Sequence, residues 1–160
     1  MGYSGHKHQR GEKVVAICES NGYILAPFSV APVNQHDTTL LKDSLEWLAL
    51  ICQTLGLSLI GSVLNLDPGF DSKANRRAIF NRRMKPNIKP VKRARKNPKR
   101  GRKRHFDEAT YALRQRVERT FAWEDKFKRL LIRFEHIQWR HLGFKLMAYT
   151  LINIRDFCQH

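Results

Sequence analysis

Apolar and polar positions come in short blocks over the first thirty residues and then settle into helical spacing. Residues 13–19 (KVVAICE) and 23–30 (YILAPFSV) read as two apolar-rich strands. Ser20-Asn21-Gly22 between them is a turn signal, so the pair predicts a hairpin. Residues 1–12 are polar and glycine-containing and predict an irregular start. Residues 31–37 (APVNQHD) read as a loop that ends at a helix N-terminus. Over 38–55, Leu40, Leu41, Leu45, Leu48 and Cys52 keep the spacing of one helix face, and Gly56 fits the C-cap. The run 57–66 (LSLIGSVLNL) is apolar on both faces, as expected of a strand buried inside a mixed sheet. It ends in the turn Asp67-Pro68-Gly69-Phe70-Asp71. Residues 72–84 then predict a helix with Asp71 or Ser72 as N-cap, and 89–91 a last short strand. Residues 107–133 predict one long helix with Leu113, Val117 and Phe121 on its core side. Residues 138–158, apolar almost all round, predict a well-buried final helix. The order strand, strand, helix, strand, helix, strand, helix, helix predicts a single α/β domain around one mixed sheet.

Charge changes this picture more than composition does. Apolar content of 42% fits one domain with one core, but the formal net charge of +16 points to a polyanionic partner. Residues 82–104 hold thirteen Lys or Arg and no acid, and Pro86, Pro90, Pro98 and Gly101 interrupt them. They predict a loop or arm rather than a helix, with strongly salt-dependent binding. The three cysteines, Cys18, Cys52 and Cys158, are far apart and form no metal-ligand spacing. They read as buried thiols of a cytosolic protein. No stretch has the makings of a signal peptide, lipidation motif or membrane span, which argues against a membrane partner. His105 and His136 read as surface residues, and Phe121, Trp123 and Trp139 as core aromatics rather than base-stacking platforms.

Two carboxylates stand out. Asp67 closes a buried strand just before a glycine turn and a helix, where α/β sheets place ligands; it also suits simple turn-shaping beside Pro68 and Gly69. On a continuous helix Tyr111, Arg114, Glu118, Asp125 and Arg129 share one stripe beside the apolar one. Glu118 then lies at the edge of the core among Arg114, Arg116 and Arg119. It suits either a functional carboxylate or an ordinary i, i+4 ion pair with Arg114. Together the two acids suggest a site for divalent ions, which carboxylates clamp roughly 3.5–4 Å apart in phosphodiester chemistry.

The segments carrying these acids resemble a known family. Asp67-Pro-Gly-Phe-Asp-Ser72 is similar to the Asp-x-Gly-Tyr-Asp-Ser strand end of bacterial insertion-sequence transposases of the DDE class. The stretch from Tyr111 through Arg114, Glu118 and Trp123 is similar to that family's Tyr/Arg/Glu/Lys signature, and 125–135 continues the likeness. Tyr3-Ser-Gly-His-Lys7 and 31–37 match its hairpin and loop. The resemblance implies an RNase-H-like mixed sheet with flanking helices and metal-dependent cutting and joining of DNA. Asp67 and Glu118 would be metal ligands for Mg²⁺ or Mn²⁺, and Tyr111 and Arg114 would contact phosphates. Arg119 and the arm residues Arg93, Arg95, Lys96, Arg100 and Arg102 are expected to add backbone contacts. The signature Lys falls at Asp125 here, and Lys126, one further on, is the lysine expected to contact DNA.

The family's first Asp lies on an opening strand ahead of the Tyr-Ser-Gly-His-Lys segment, with which this chain begins. The resemblance thus implies an N-terminally truncated catalytic domain over 1–160, with an incomplete metal site and little activity alone. Its expected partners are duplex transposon ends and the product of an upstream frame or a second copy. The expected place is the bacterial cytoplasm, at the nucleoid. Two rival classes remain: a non-catalytic DNA-binding regulator and a basic RNA-binding protein.

Overall fold

The computed structural model describes residues 2–4, 8–25, 29–90 and 104–158. Strands β1 (Gly2–Ser4), β2 (Gln9–Val15) and β3 (Ser29–Pro32) form an antiparallel sheet with β2 in the middle. Tyr3 lies opposite Arg10, and Val14 opposite Val30. The expected hairpin is present, but its ladder lies further from the turn than the apolar blocks suggested, and near the tip a lone Cys18–Ile24 bridge remains. The described residues among the first twelve are likewise not an irregular start, since β1 and half of β2 fall there. Main-chain hydrogen bonds hold this part of the sheet, and they leave no hydrophobic period to read. Gly2 is required where it stands: a Cβ there would meet Asn34 Oδ1 at 2.3 Å and Pro32 Cβ at 2.8 Å.

Helix α1 (Asp37–Thr54) follows the predicted face closely. His36 caps it, its ring accepting from Thr38 N, and Leu55 is the C-cap, with Gly56 one position beyond at φ 68. Leu41, Leu45, Leu48 and Cys52 form a buried stripe against Leu64, Ile79, Met84 and Ile88. Each large side chain buried there stabilises the fold by about 1.5–3 kcal/mol. Within the stripe, Ser44 Oγ donates to Leu40 O at 2.9 Å and shares a 3.0 Å bond with Ser29 Oγ, joining α1 to β3.

The core's other wall is β4 (Val63–Leu66), α2 (Lys73–Asn81) and β5 (Lys85–Ile88). β4 and β5 pair in parallel, with Asn65 opposite Asn87. Three expectations change here. Only the last four residues of 57–66 are strand, because Gly61 (φ 80) and the Ser62 N to Leu59 O bond turn the chain just before them. α2 stops at Asn81, short of Met84, and Arg83 takes a positive φ of 58. The last strand is 85–88 rather than 89–91, so the basic stretch 82–104 is not loop throughout. Proline is tolerated in β5 because a two-stranded sheet leaves every strand an edge. Residues 91–103 of that stretch lie outside the described residues.

The described strands thus form two small sheets in a mixed α/β chain, not one mixed sheet. The single helix expected over 107–133 is three: α3 (Glu108–Ala112), α4 (Gln115–Glu124) and α5 (Lys128–Leu131). Of the expected inward residues Leu113 is exposed and Val117 and Phe121 are half-buried, while Thr120, Glu124 and Leu130 are the fully buried ones. α6 (Gln138–Cys158) packs on α4 and α5, but it is not well buried. His141, Ala148 and Tyr149 are covered, whereas Trp139, Met147, Leu151, Ile154 and Phe157 are exposed. Trp139 is therefore no core aromatic. α4 is fastened to α6 by the buried Glu124 carboxylate, which accepts from Lys145 Nζ and Tyr149 Oη. Burial above all, and then the bond and charge of Glu124, push the Tyr149 hydroxyl far above its ordinary value. Of the cysteines, Cys52 is buried and Cys18 half-buried, but Cys158 is exposed, against expectation. Among the described residues no helix is long and apolar enough to cross a membrane.

Candidate active site

Asp67 directly follows β4 and opens a 3₁₀ turn (Pro68–Phe70), closed by Phe70 N donating to Asp67 O at 2.9 Å. Its carboxylate therefore sits at the C-terminal end of a parallel strand, in the crevice where such sheets meet ligands. The facing wall is the start of α3. Asp107 caps α3, accepting from the Thr110 hydroxyl and from Thr110 N at 3.2 Å, and these bonds, the hydroxyl's above all, hold its carboxyl below the usual range.

One buried amide fixes where α3 begins. Asn87 Nδ2 donates to Asn65 Oδ1 and to Asp107 O, both at 2.8 Å, and Asn87 Oδ1 accepts from Asp107 N at 3.0 Å. Both of its N–H groups and its carbonyl are thereby satisfied, and β4, β5 and α3 meet two residues before Asp67. Asn87→Ala is expected to lower stability by about 1–3 kcal/mol, because the partners' polar groups stay buried and unpaired. A fall in the urea midpoint would register it; an unchanged midpoint would mean that water replaces the amide.

Held this way, the α3–α4 junction brings Arg114 between the two acids. Its Nη1 lies 2.5 Å from Asp67 Oδ1 and 3.4 Å from Glu118 Oε1. Two oxygens touching one nitrogen are within roughly 6 Å of each other, a span that a divalent ion or ion pair can bridge. Tyr111 supports the guanidinium from below, its ring centroid 5.5 Å from Arg114 Cζ, and Phe106 packs edge-on against Tyr111 at 5.1 Å. Asp67 and Glu118 are 53% and 61% exposed, so a ligand can reach both. Glu118 thus lies on a solvated face of α4 and not at the core's edge as expected.

Both carboxylates supply hard oxygen donors, and they already converge on one positive centre. That donor set fits Mg²⁺ or Mn²⁺ better than a soft metal. Among the described residues no group of three or more His, Cys, Asp or Glu forms a metal cluster.

Beside the site lies a residue whose role the sequence did not give away. Asp71, read as a possible cap, yields that role to Ser72, whose hydroxyl accepts from Asn75 N at 3.1 Å. Asp71 instead takes Arg76 Nε at 2.7 Å and both contacts of Arg104 Nη1, at 2.6 and 2.9 Å. Arg76 Nη2 in turn donates to Ile88 O at 3.0 Å. The chain on either side of 91–103 is thereby anchored four residues from Asp67.

The other expected contact residues separate. Lys126 lies over the Trp123 indole at 3.9 Å, and Arg155 over the same ring at 3.8 Å. Arg119 lines a cavity with Arg116 and Arg155. Arg93, Arg95, Lys96, Arg100 and Arg102 lie outside the described residues, while His105 and His136 are exposed as expected. Residues 1–151 match the family model described as the transposase DDE domain. No curated protein and no solved structure matches the chain.

Proposed function

Because the chain belongs to the transposase DDE domain family, we propose that Asp67 and Glu118 are two metal-binding carboxylates of a site that cuts and joins DNA strands. The observation that carries this reading is the convergence of both acids, from a strand end and a separate helix, on the single guanidinium of Arg114. Bound Mg²⁺ or Mn²⁺ supplies Lewis acidity toward a phosphoryl oxygen and a more acidic water. Asp67 and Glu118 would hold that ion. Arg114, planar and permanently charged, matches a phosphate as readily as it matches the two carboxylates. Tyr111 keeps the guanidinium over its ring while it exchanges one anion for the other. The basic residues within 91–103 add sequence-independent phosphate contacts, and the substrate is duplex DNA at transposon ends. An RNase-H-like arrangement, and cooperation with an upstream-frame product or a second copy, belong to the same reading.

The test is Mn²⁺ binding, followed by electron paramagnetic resonance, together with nicking of transposon-end duplex in Mg²⁺ by the chain with and without an upstream-frame product. Asp67→Asn and Glu118→Gln should each abolish Mn²⁺ binding and any nicking. Binding and nicking that survive both changes would overturn the proposal.

A second reading has its own observation in favour. Arg114 already pairs with both acids in an ion triad, which is also how a non-catalytic DNA-binding protein would pin α3 and α4 to β4. On that reading Asp67→Asn lowers thermal stability, leaves duplex affinity intact and has no metal signal to lose.

A further inference from the structure

A second cleft opens on the other flank of α4. Arg116 and Thr120 lie about 200° around the helix from Glu118, so this flank faces away from the carboxylates. The cavity measures about 240 Å³ and is walled by the hairpin tip at Asn21–Tyr23, by α4 and by α6. Arg116, Arg119 and Arg155 contribute to its lining, and no acidic residue does.

The walls are held in place mainly by uncharged groups, with Arg116 the one lining cation that takes part. Asn153 pairs with the Ile24 main chain in both directions, accepting from its N–H at 3.1 Å and donating to its carbonyl at 3.2 Å. Thr120 Oγ1 donates to Gly22 O at 3.2 Å, and Arg116 donates to Ser20 O, so the hairpin tip is stapled to both helices. Arg155 stacks over Trp123, its Cζ 3.8 Å from the ring centre, a contact that helps to order its guanidinium. Three like charges facing one small space repel each other, and an anion placed among them removes that cost. Because Arg116 and Arg155 are already ordered, little of their rotamer freedom is lost when it binds. Guanidinium groups match a phosphate's tetrahedral oxygens closely.

We propose that this cleft binds a phosphate of the duplex DNA backbone, so that DNA is gripped on both flanks of α4. The proposal rests on the DNA-handling reading above, and the cleft is separate from the Asp67–Glu118 site. Anisotropy titration of a short labelled duplex against the full chain over a range of salt concentrations tests it. Arg119→Gln/Arg155→Gln should lower affinity on the order of tenfold and flatten the slope of log K against log salt by about 1.8, two contacts' worth. Should Arg155→Gln disturb Trp123, Arg119→Gln alone carries the test, with a slope change of about 0.9. The Trp123 indole resonance should also move on adding duplex to the unsubstituted chain. Variants with unchanged slope and affinity would overturn the cleft and leave the DNA reading standing. An unsubstituted chain that binds no duplex would overturn both. A cleft that takes polyglutamate as tightly as duplex would reassign it to acidic peptides and overturn the proposal.

Discussion

Exchanging Lys145 for methionine lowers the unfolding free energy by about 3–5 kcal/mol. The Glu124–Lys145 pair is nearly sealed from water, with side chains 10% and 13% exposed, and Tyr149 donates to the same carboxylate. Methionine keeps the apolar stem and removes only the charge, leaving Glu124 buried with a single neutral donor. A domain of this size is stable by about 5–15 kcal/mol, so the loss is a large share of the whole. The urea midpoint should fall steeply with little change in slope. Adding Glu124→Gln in the same chain should recover part of the loss, since no buried charge is then left unpaired. A single variant within about 1 kcal/mol of the parent, the scale of a solvent-exposed pair, would show that water reaches the carboxylate.

Arg114→Ala has the second largest expected effect, and its sign is informative. If Arg114 and a divalent ion compete for Asp67 and Glu118, removing the guanidinium leaves two like charges close together without a counter-ion. Mn²⁺ should then bind the free protein on the order of tenfold more tightly, because a nearby positive charge is gone. Duplex affinity should move the other way, and the salt slope should shrink by about 0.9 as one phosphate contact disappears. Calorimetric titration with Mn²⁺ and anisotropy with duplex separate the two. Mn²⁺ affinity that falls along with duplex affinity would mean that Arg114 holds the acids in place for the metal rather than competing with it.

How much of this could be read in advance depended on what kind of signal each element carries. α1 was readable because Leu41, Leu45, Leu48 and Cys52 repeat at helical spacing and all face one core. Asp67 and Glu118 were readable as acids at a strand end and among arginines, but their meeting on Arg114 was not. That meeting depends on where α3 starts, which Asn87 settles through bonds to residues far apart in sequence. The division of 107–133 into three helices was equally hidden, since that stretch has no glycine or proline to mark a break. β5 was missed for the opposite reason: Pro86 argued against a strand that a two-stranded sheet accommodates. Glu124 gave no sign of burial, because a glutamate on an amphipathic helix reads as solvated until Lys145 and Tyr149 are seen across from it.

The bare apolar side of α6 has a colloidal consequence. Trp139, Met147, Leu151, Ile154 and Phe157 are all exposed, on a chain of net charge +16. At low ionic strength mutual repulsion keeps such molecules apart. At about 1 M salt the screening length shrinks to about 3 Å, and apolar patches can meet almost unopposed. The same salt that strips nucleic acid from the arginines therefore removes the force that keeps the protein dispersed. Handling it calls for a window in between, or for an arginine-rich buffer that masks both kinds of surface.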